Sequence, residues 1–294
     1  MKLTTARWMA AAVIALLIVG AVPSAQAQMK LCVFTSGALT VPKSLLQSGA
    51  PSTQIAVPVA FFVVLHPKGH VLFDTGNNDR IITDPSYWGP FIQGLNPVRT
   101  PDVAIDVQLA KIGLRPDDIK YVVIGHMHLD HGGNVGKFPK STIVVQNDEI
   151  RNAFWPAPGT AGPYIPGDFM MLRSDIGNPL ANRYKMIELE GDLDLYRDGS
   201  LYIRRSVSHT PGSQMMVVRL PKSGTVILTS DVVYFKENVQ KNLLPDVALS
   251  YNPSGFYEAY AWIRELQARE NADFMTAHDP DAFKTFRKAP DCYE

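Results

Sequence analysis

His126-Met127-His128-Leu129-Asp130-His131-Gly132-Gly133 sets four metal-capable side chains within six residues. Core packing has no use for imidazole and carboxylate at that density. The run follows a short apolar strand, Tyr121 to Ile124, and closes on two glycines. It therefore reads as a loop at the end of a buried strand, where α/β folds place their sites. On such a loop His126 and His128 can point to one side and Asp130 and His131 to the other. That arrangement suits two neighbouring cations better than one.

Further donor candidates lie downstream, again at strand ends. His209 sits in Ser208-His209-Thr210-Pro211-Gly212-Ser213, after the strand Leu201 to Arg205. Asp231 ends the strand Val226 to Thr229, and His278 follows the strand Phe274 to Ala277. The set offers nitrogen and oxygen but no thiolate, which suits Zn²⁺ foremost and also Fe, Mn or Co. Water on such cations reaches a pKa near 7. A hydroxide held between two of them can attack a carbonyl with no serine or cysteine nucleophile. The remaining histidines, His66 and His70, flank the turn Pro67-Lys68-Gly69 and are expected to be solvated.

The rest of the chain sets the frame. Its 294 residues are 46% hydrophobic and 19% charged, with 28 bases against 28 acids. This is a globular composition, and the absence of any Lys/Arg run gives no support for a nucleic-acid partner. Lys2 and Arg7 precede an uncharged apolar run from Trp8 to Val22, and Ala25-Gln26-Ala27 is a small-x-small cleavage site. Residues 1–27 thus read as a secretory signal peptide, placing the mature chain in the periplasm or outside the cell. No later stretch is long enough to span a bilayer. Cys32 and Cys292 lie near the two mature ends. A bridge between them is worth roughly 5 kcal/mol at most by loop closure, and two free buried thiols are the alternative.

Strands and helices alternate along residues 28–294 in a layered α/β or α+β pattern. Val57 to Leu65 is a continuous apolar run, the mark of a buried strand. Val103 to Ile112 and the segment opened by Pro253 read as helices, and Asp148 is placed to cap a helix through Trp155. The stretch 156–184 reads as a long functional loop. Phe154, Trp155, Tyr164, Phe169, Met170 and Met171, with Tyr87, Trp88 and Phe91, could wall an apolar substrate cleft or cover a homodimer interface.

The signature His-x-His-x-Asp-His, followed in order by one His, one Asp and one His, resembles that of the metallo-β-lactamase superfamily. The resemblance runs over essentially the whole mature chain. It implies an αββα sandwich, with two mixed β-sheets face to face and helices outside, as a single hydrolase domain over 28–294. By that resemblance His126, His128 and His209 hold one metal, Asp130, His131 and His278 hold a second, and Asp231 bridges them. Asp74, in Leu72-Phe73-Asp74-Thr75-Gly76, matches the aspartate the superfamily places below the metals.

A narrower resemblance joins Ile227-Leu228-Thr229-Ser230-Asp231-Val232-Val233-Tyr234-Phe235-Lys236-Glu237-Asn238 to the N-acyl homoserine lactonases. It implies opening of a lactone ring by a metal-bridging hydroxide. Tyr234 would contact the lactone, and Asp130 would double as the proton shuttle to the leaving alkoxide. Ser213 and Gln214 depart from the pattern where several lactonases carry another histidine. The same centre would also suit an arylester, an organophosphate triester or a β-lactam. A metal-binding protein without chemistry is the reading from a different class.

Overall fold

The computed structural model describes residues 29–156, 162–173 and 184–294. Residues 1–27, expected from the sequence to be a signal peptide, and residues 157–161 and 174–183 of the long loop lie outside them. Twelve strands are present among the described residues: β1 (Lys30–Pro42), β2 (Gln54–Leu65), β3 (His70–Phe73), β4 (Ile119–Val123), β5 (Thr142–Gln146), β6 (Lys185–Leu189), β7 (Leu193–Asp194), β8 (Leu201–Arg205), β9 (Gln214–Leu220), β10 (Gly224–Leu228), β11 (Asp273–Met275) and β12 (Cys292–Tyr293). They form a seven-stranded sheet, β12-β1-β2-β3-β4-β5-β6, and a five-stranded sheet, β11-β10-β9-β8-β7.

Side-chain alternation along each strand builds the layers. Leu31, Val33, Phe62, Val64, Phe73 and Val123 of the first sheet meet Ile203, Met216, Val218 and Leu228 of the second in an apolar seam between them. The opposite face of the first sheet carries Phe61, Val63, Leu72 and Ile143 against Ile105 and Leu109 of the helix Ile105–Ala110. The outer face of the second sheet carries Val217, Ile227 and Phe274 against Phe256, Tyr260 and Ile263 of the helix Pro253–Glu270. Both faces of each sheet are covered, which is why the β2 run is apolar at consecutive positions. This is the αββα sandwich. Among the described residues no helix is long and apolar enough to cross a membrane.

Strand direction gathers the loops of interest at one edge. β3, β4 and β5 run parallel, so the segments after them leave the sheet on the same side. In the second sheet β10 and β11 are parallel, bringing Asp231 and His278 out together, and the β8–β9 turn carries His209. The Ala60 amide donates to the Ala277 carbonyl at 3.1 Å, and the Gln214 amide to that of Gly125 at 2.9 Å, tying the sheets where the loops meet.

Two expectations need correction. The helix Asn147–Phe154 has Gln146 at its cap with no side-chain bond. Asp148 lies in its first turn, paired with Arg205. His66 is buried rather than solvated, its ring stacked 4.2 Å from that of Tyr196. Burial pushes its pKa down to about 4. Of the two alternatives for Cys32 and Cys292 the bridge is the one present, and it fastens β12 to β1.

Candidate metal centre

Seven side chains meet where the two sheets open. His126, His128 and His209 bring one ring nitrogen each within 4.8 Å of one another. One oxygen of Asp130 and one nitrogen each of His131 and His278 form a second such group. Asp231 stands between them. Its Oδ2 is 3.9 Å from His126 Nε2 and 3.5 Å from His209 Nε2. Its Oδ1 is 3.0 Å from His131 Nε2 and 3.1 Å from His278 Nε2. One carboxylate thus presents one oxygen to each group.

Hydrogen bonds behind the rings decide which nitrogens face inward. His131 Nδ1 donates to Asp74 Oδ2 at 2.8 Å, His278 Nδ1 to the Pro58 carbonyl at 2.7 Å, and His209 Nδ1 to the Leu249 carbonyl at 2.7 Å. Each ring therefore turns its Nε2 lone pair into the centre. His131 Nε2 and His278 Nε2 then lie 3.1 Å apart, and His209 Nε2 lies 2.9 Å from His128 Nδ1. His126 Nε2 and Asp231 Oδ1 are buried with no hydrogen bond among the described residues. Converging lone pairs and orphaned buried acceptors are what a cation satisfies and packing does not. The donors fit a pair of divalent cations.

The electrostatics agree. Burial, and then the neighbouring imidazoles, push the pKa values of His126 and His128 well below the ordinary range, leaving both rings neutral. Burial also opposes charge on His131 and His278, but Asp231 and Asp130 outweigh it and push both upward. That half of the centre demands positive charge.

The support is built from strained and close-packed backbone. Asp74 (φ 59°) and Ser230 (φ 46°) both adopt the left-handed region, a cost that tends to persist at functional sites. Ser230 Oγ donates to Asp74 Oδ2 at 2.8 Å, and the Gly125 amide donates to Asp74 Oδ1 at 2.6 Å. A Cβ on Gly125 would stand 2.4 Å from Ser230 Oγ, so only glycine admits this contact ahead of His126. Ser230 was not legible as a site residue; its position beside Asp231 was the available signal.

Tyr234 is buried at the rim, its ring stacked on His278 and edge-on to His209. Burial, reinforced by Asp231, pushes its pKa well above the ordinary phenol value. The phenol is neutral and keeps its proton.

A cavity of about 280 Å³ opens onto the centre, lined there by His128, Asp130, His209, Asp231, Tyr234 and His278. Its remaining wall is apolar: Leu39, Val41, Leu46, Val57, Phe91 and Leu95, among others. Of the aromatic and methionine residues expected to form a cleft, Phe91 alone is in that lining. Tyr164 borders a second opening beside His128. Phe169 and Phe154 pack on each other in the outer core, Trp155 is 65% exposed under the Arg173 guanidinium, and Met170 is exposed. Met171 lies against Gly136, Tyr87 donates to Asp168, and Trp88 is buried in the same apolar cluster as the wall residues Leu39, Val41, Leu46 and Val57, behind the cavity surface. The wall comes instead from Leu39 and Val41 of β1 and Val57 of β2, with Leu46, Phe91 and Leu95.

The chain belongs to the metallo-beta-lactamase superfamily, whose profile matches residues 56–278, and it is an enzyme of the hydrolase branch. Within that superfamily it is 38% identical to N-acyl homoserine lactonase AttM of Azorhizobium caulinodans, over 81% of this chain and 88% of that protein. It is 25% identical to an N-acyl homoserine lactonase of Bacillus thuringiensis, over 89% of this chain and 98% of that one. A solved N-acyl homoserine lactone hydrolase, with the product N-hexanoyl-L-homoserine at its catalytic metal center, superposes with a TM-score of 0.75. That likeness covers 90% of this chain and 98% of the other at 26% identity.

Proposed function

We propose that this protein is a dinuclear metal-dependent lactonase that opens N-acyl homoserine lactones. The observation that carries the reading is a cavity whose polar end is the metal centre with Tyr234, and whose remaining wall is apolar. An acyl chain fits the apolar arm while the lactone ring reaches the donors. The relatives named above support the same substrate class. Two divalent cations, Zn²⁺ foremost, would supply the Lewis acidity and the activated water that ring opening needs.

The chain's own residues do the rest. The Tyr234 phenol donates a hydrogen bond to the oxygen that gains charge. Asp130 lies at the rim with Oδ2 3.4 Å from His278 Nε2, placed to pass a proton to the leaving oxygen. The apolar arm orients the substrate and excludes water. The test uses residues 28–294, reconstituted with Zn²⁺ and assayed for acid release from homoserine lactones of short and long acyl chain, with Asp231→Ala as blank. Fast metal-dependent release is expected. No release from folded, loaded protein overturns the lactone reading and transfers the reaction to paraoxon or a chromogenic cephalosporin as substrates.

We also propose that the enzyme is exported, with cleavage after Ala27. The signal-like segment supports this, as does a disulfide, which persists in oxidising compartments. Cell fractionation and N-terminal sequencing test it: a mature terminus at Gln28 outside the cytoplasm is expected, and an intact cytoplasmic chain overturns it.

A further inference from the structure

Glu149 takes no part in the chemistry above, yet its side chain is completely buried and both carboxylate oxygens are saturated. Oε1 accepts from the Met127 amide at 2.8 Å and from Tyr164 Oη at 2.9 Å. Oε2 accepts from Thr210 Oγ1 at 2.6 Å and from the Gly212 amide at 3.2 Å. Met127 separates His126 from His128, and Thr210 follows His209. Tyr164 adds its ring to the face of His128, 4.5 Å between centroids. These donors all come from the two segments that carry the His126, His128 and His209 group, or from the ring packed on it.

The approach is tight by construction. A Cβ on Gly212 would stand 2.4 Å from both the backbone nitrogen and the Cβ of Glu149, so the turn after His209 closes on this residue only with glycine. Burying a carboxylate is costly unless it is fully hydrogen-bonded, and here four buried donors compensate it. What the carboxylate adds is direction, since it fixes two loops from different sheets at one separation. The opposite half of the centre rests on Asp74 instead, so each half has its own buried carboxylate.

We propose that Glu149 is a positioning residue for the His126, His128 and His209 donor set, setting the affinity of that half of the centre for its metal ion. This rests on the metal-centre reading and not on the identity of the substrate. Glu149→Gln tests it, because the amide keeps the size but turns an NH₂ toward groups that themselves donate.

The readout is a Co²⁺ titration of metal-free protein, followed by visible absorption and by chelator competition. Wild type is expected to take two equivalents. The variant is expected to hold one with unchanged affinity and the second about 10- to 100-fold more weakly, with the matching part of the spectrum altered. A folded variant that binds both equivalents as wild type does, or loses both equally, overturns the proposal, whatever its melting temperature. If Glu149→Gln does not fold, Thr210→Val and Tyr164→Phe each remove one donor while keeping shape. Both are expected to weaken the same single equivalent, and unchanged binding in both overturns the proposal. Wild type that binds no cobalt overturns the metal-centre reading together with this one, whereas loss of lactone turnover alone touches neither.

Discussion

His131 Nδ1 lies 2.8 Å from Asp74 Oδ2, and solvent reaches neither side chain. That contact fixes the ring's proton on the far side and leaves Nε2 as the inward lone pair. Asp74 also accepts from Ser230 Oγ and the Gly125 amide, so it serves three donors at once. Asn in its place has one acceptor oxygen for those three donors and no charge. The substitution is otherwise clean, because asparagine tolerates the left-handed backbone that Asp74 adopts. Asp74→Asn is expected to weaken metal retention about 10- to 100-fold, measured by competition with a chromogenic chelator. Retention equal to wild type would show that His131 needs no anionic partner.

Tyr234 makes a separable contribution. The His209 Nδ1–H is already used by the Leu249 carbonyl at 2.7 Å and lies 3.2 Å from Tyr234 Oη. The phenol proton is therefore not needed to orient His209. Tyr234→Phe keeps the stacked ring and removes only this donor. The expected result is about a 10²-fold loss in kcat with two metals still bound, read by steady-state kinetics beside metal analysis. A variant that loses metal instead would make Tyr234 a support for the centre.

The donor residues were legible because their signal is local: histidines and aspartates stand just past apolar strands, and the strands' parallel order collects them. The parts that tertiary packing creates were not legible. Glu149 is one acid among the polar residues that open a short helix, and its partners lie far along the chain, two of them backbone amides. Along β1 the apolar pattern is interrupted at Thr35-Ser36-Gly37, which the structure absorbs as a register shift between Thr35 and Ala38. The continuation of β1 past that bulge carries Leu39 and Val41, and with them much of the cleft wall.

That wall gives a contrast between two phenylalanines. Phe91 lines the cavity, whereas Phe154 packs on Phe169 away from it. Phe91→Ala is expected to lower kcat/KM for a long-acyl lactone about 10-fold, the scale of a lost apolar contact, and to leave a short-acyl lactone nearly unchanged. Phe154→Ala is expected to lower the melting temperature without altering the chain-length profile. Kinetics on both substrates for both variants decide it, and equal chain-length profiles in the two variants would remove Phe91 from the acyl site.

Asp168 provides a pH signature remote from the donors. It is buried, and its Oδ1 accepts from Asn78 and Tyr87, each at 2.7 Å, while Oδ2 has no partner among the described residues. Burial pushes its pKa up to about 7 against the pull of those two hydrogen bonds. An unfolded aspartate titrates near ~4, so between roughly pH 4 and pH 7 the folded state holds more protons than the unfolded one. Stability from this group must then fall as pH rises through that window and level off above it. Asparagine cannot ionise, so Asp168→Asn should match wild type near the acid end. It should become the more stable protein at pH 8, by on the order of a few kcal/mol. Denaturant melts of both proteins across pH 5 to 8 measure the difference, in which titrations common to the two cancel. A difference that stays flat over that range would mean that Asp168 ionises as an ordinary carboxyl, and that its unpartnered oxygen is solvated in the folded protein.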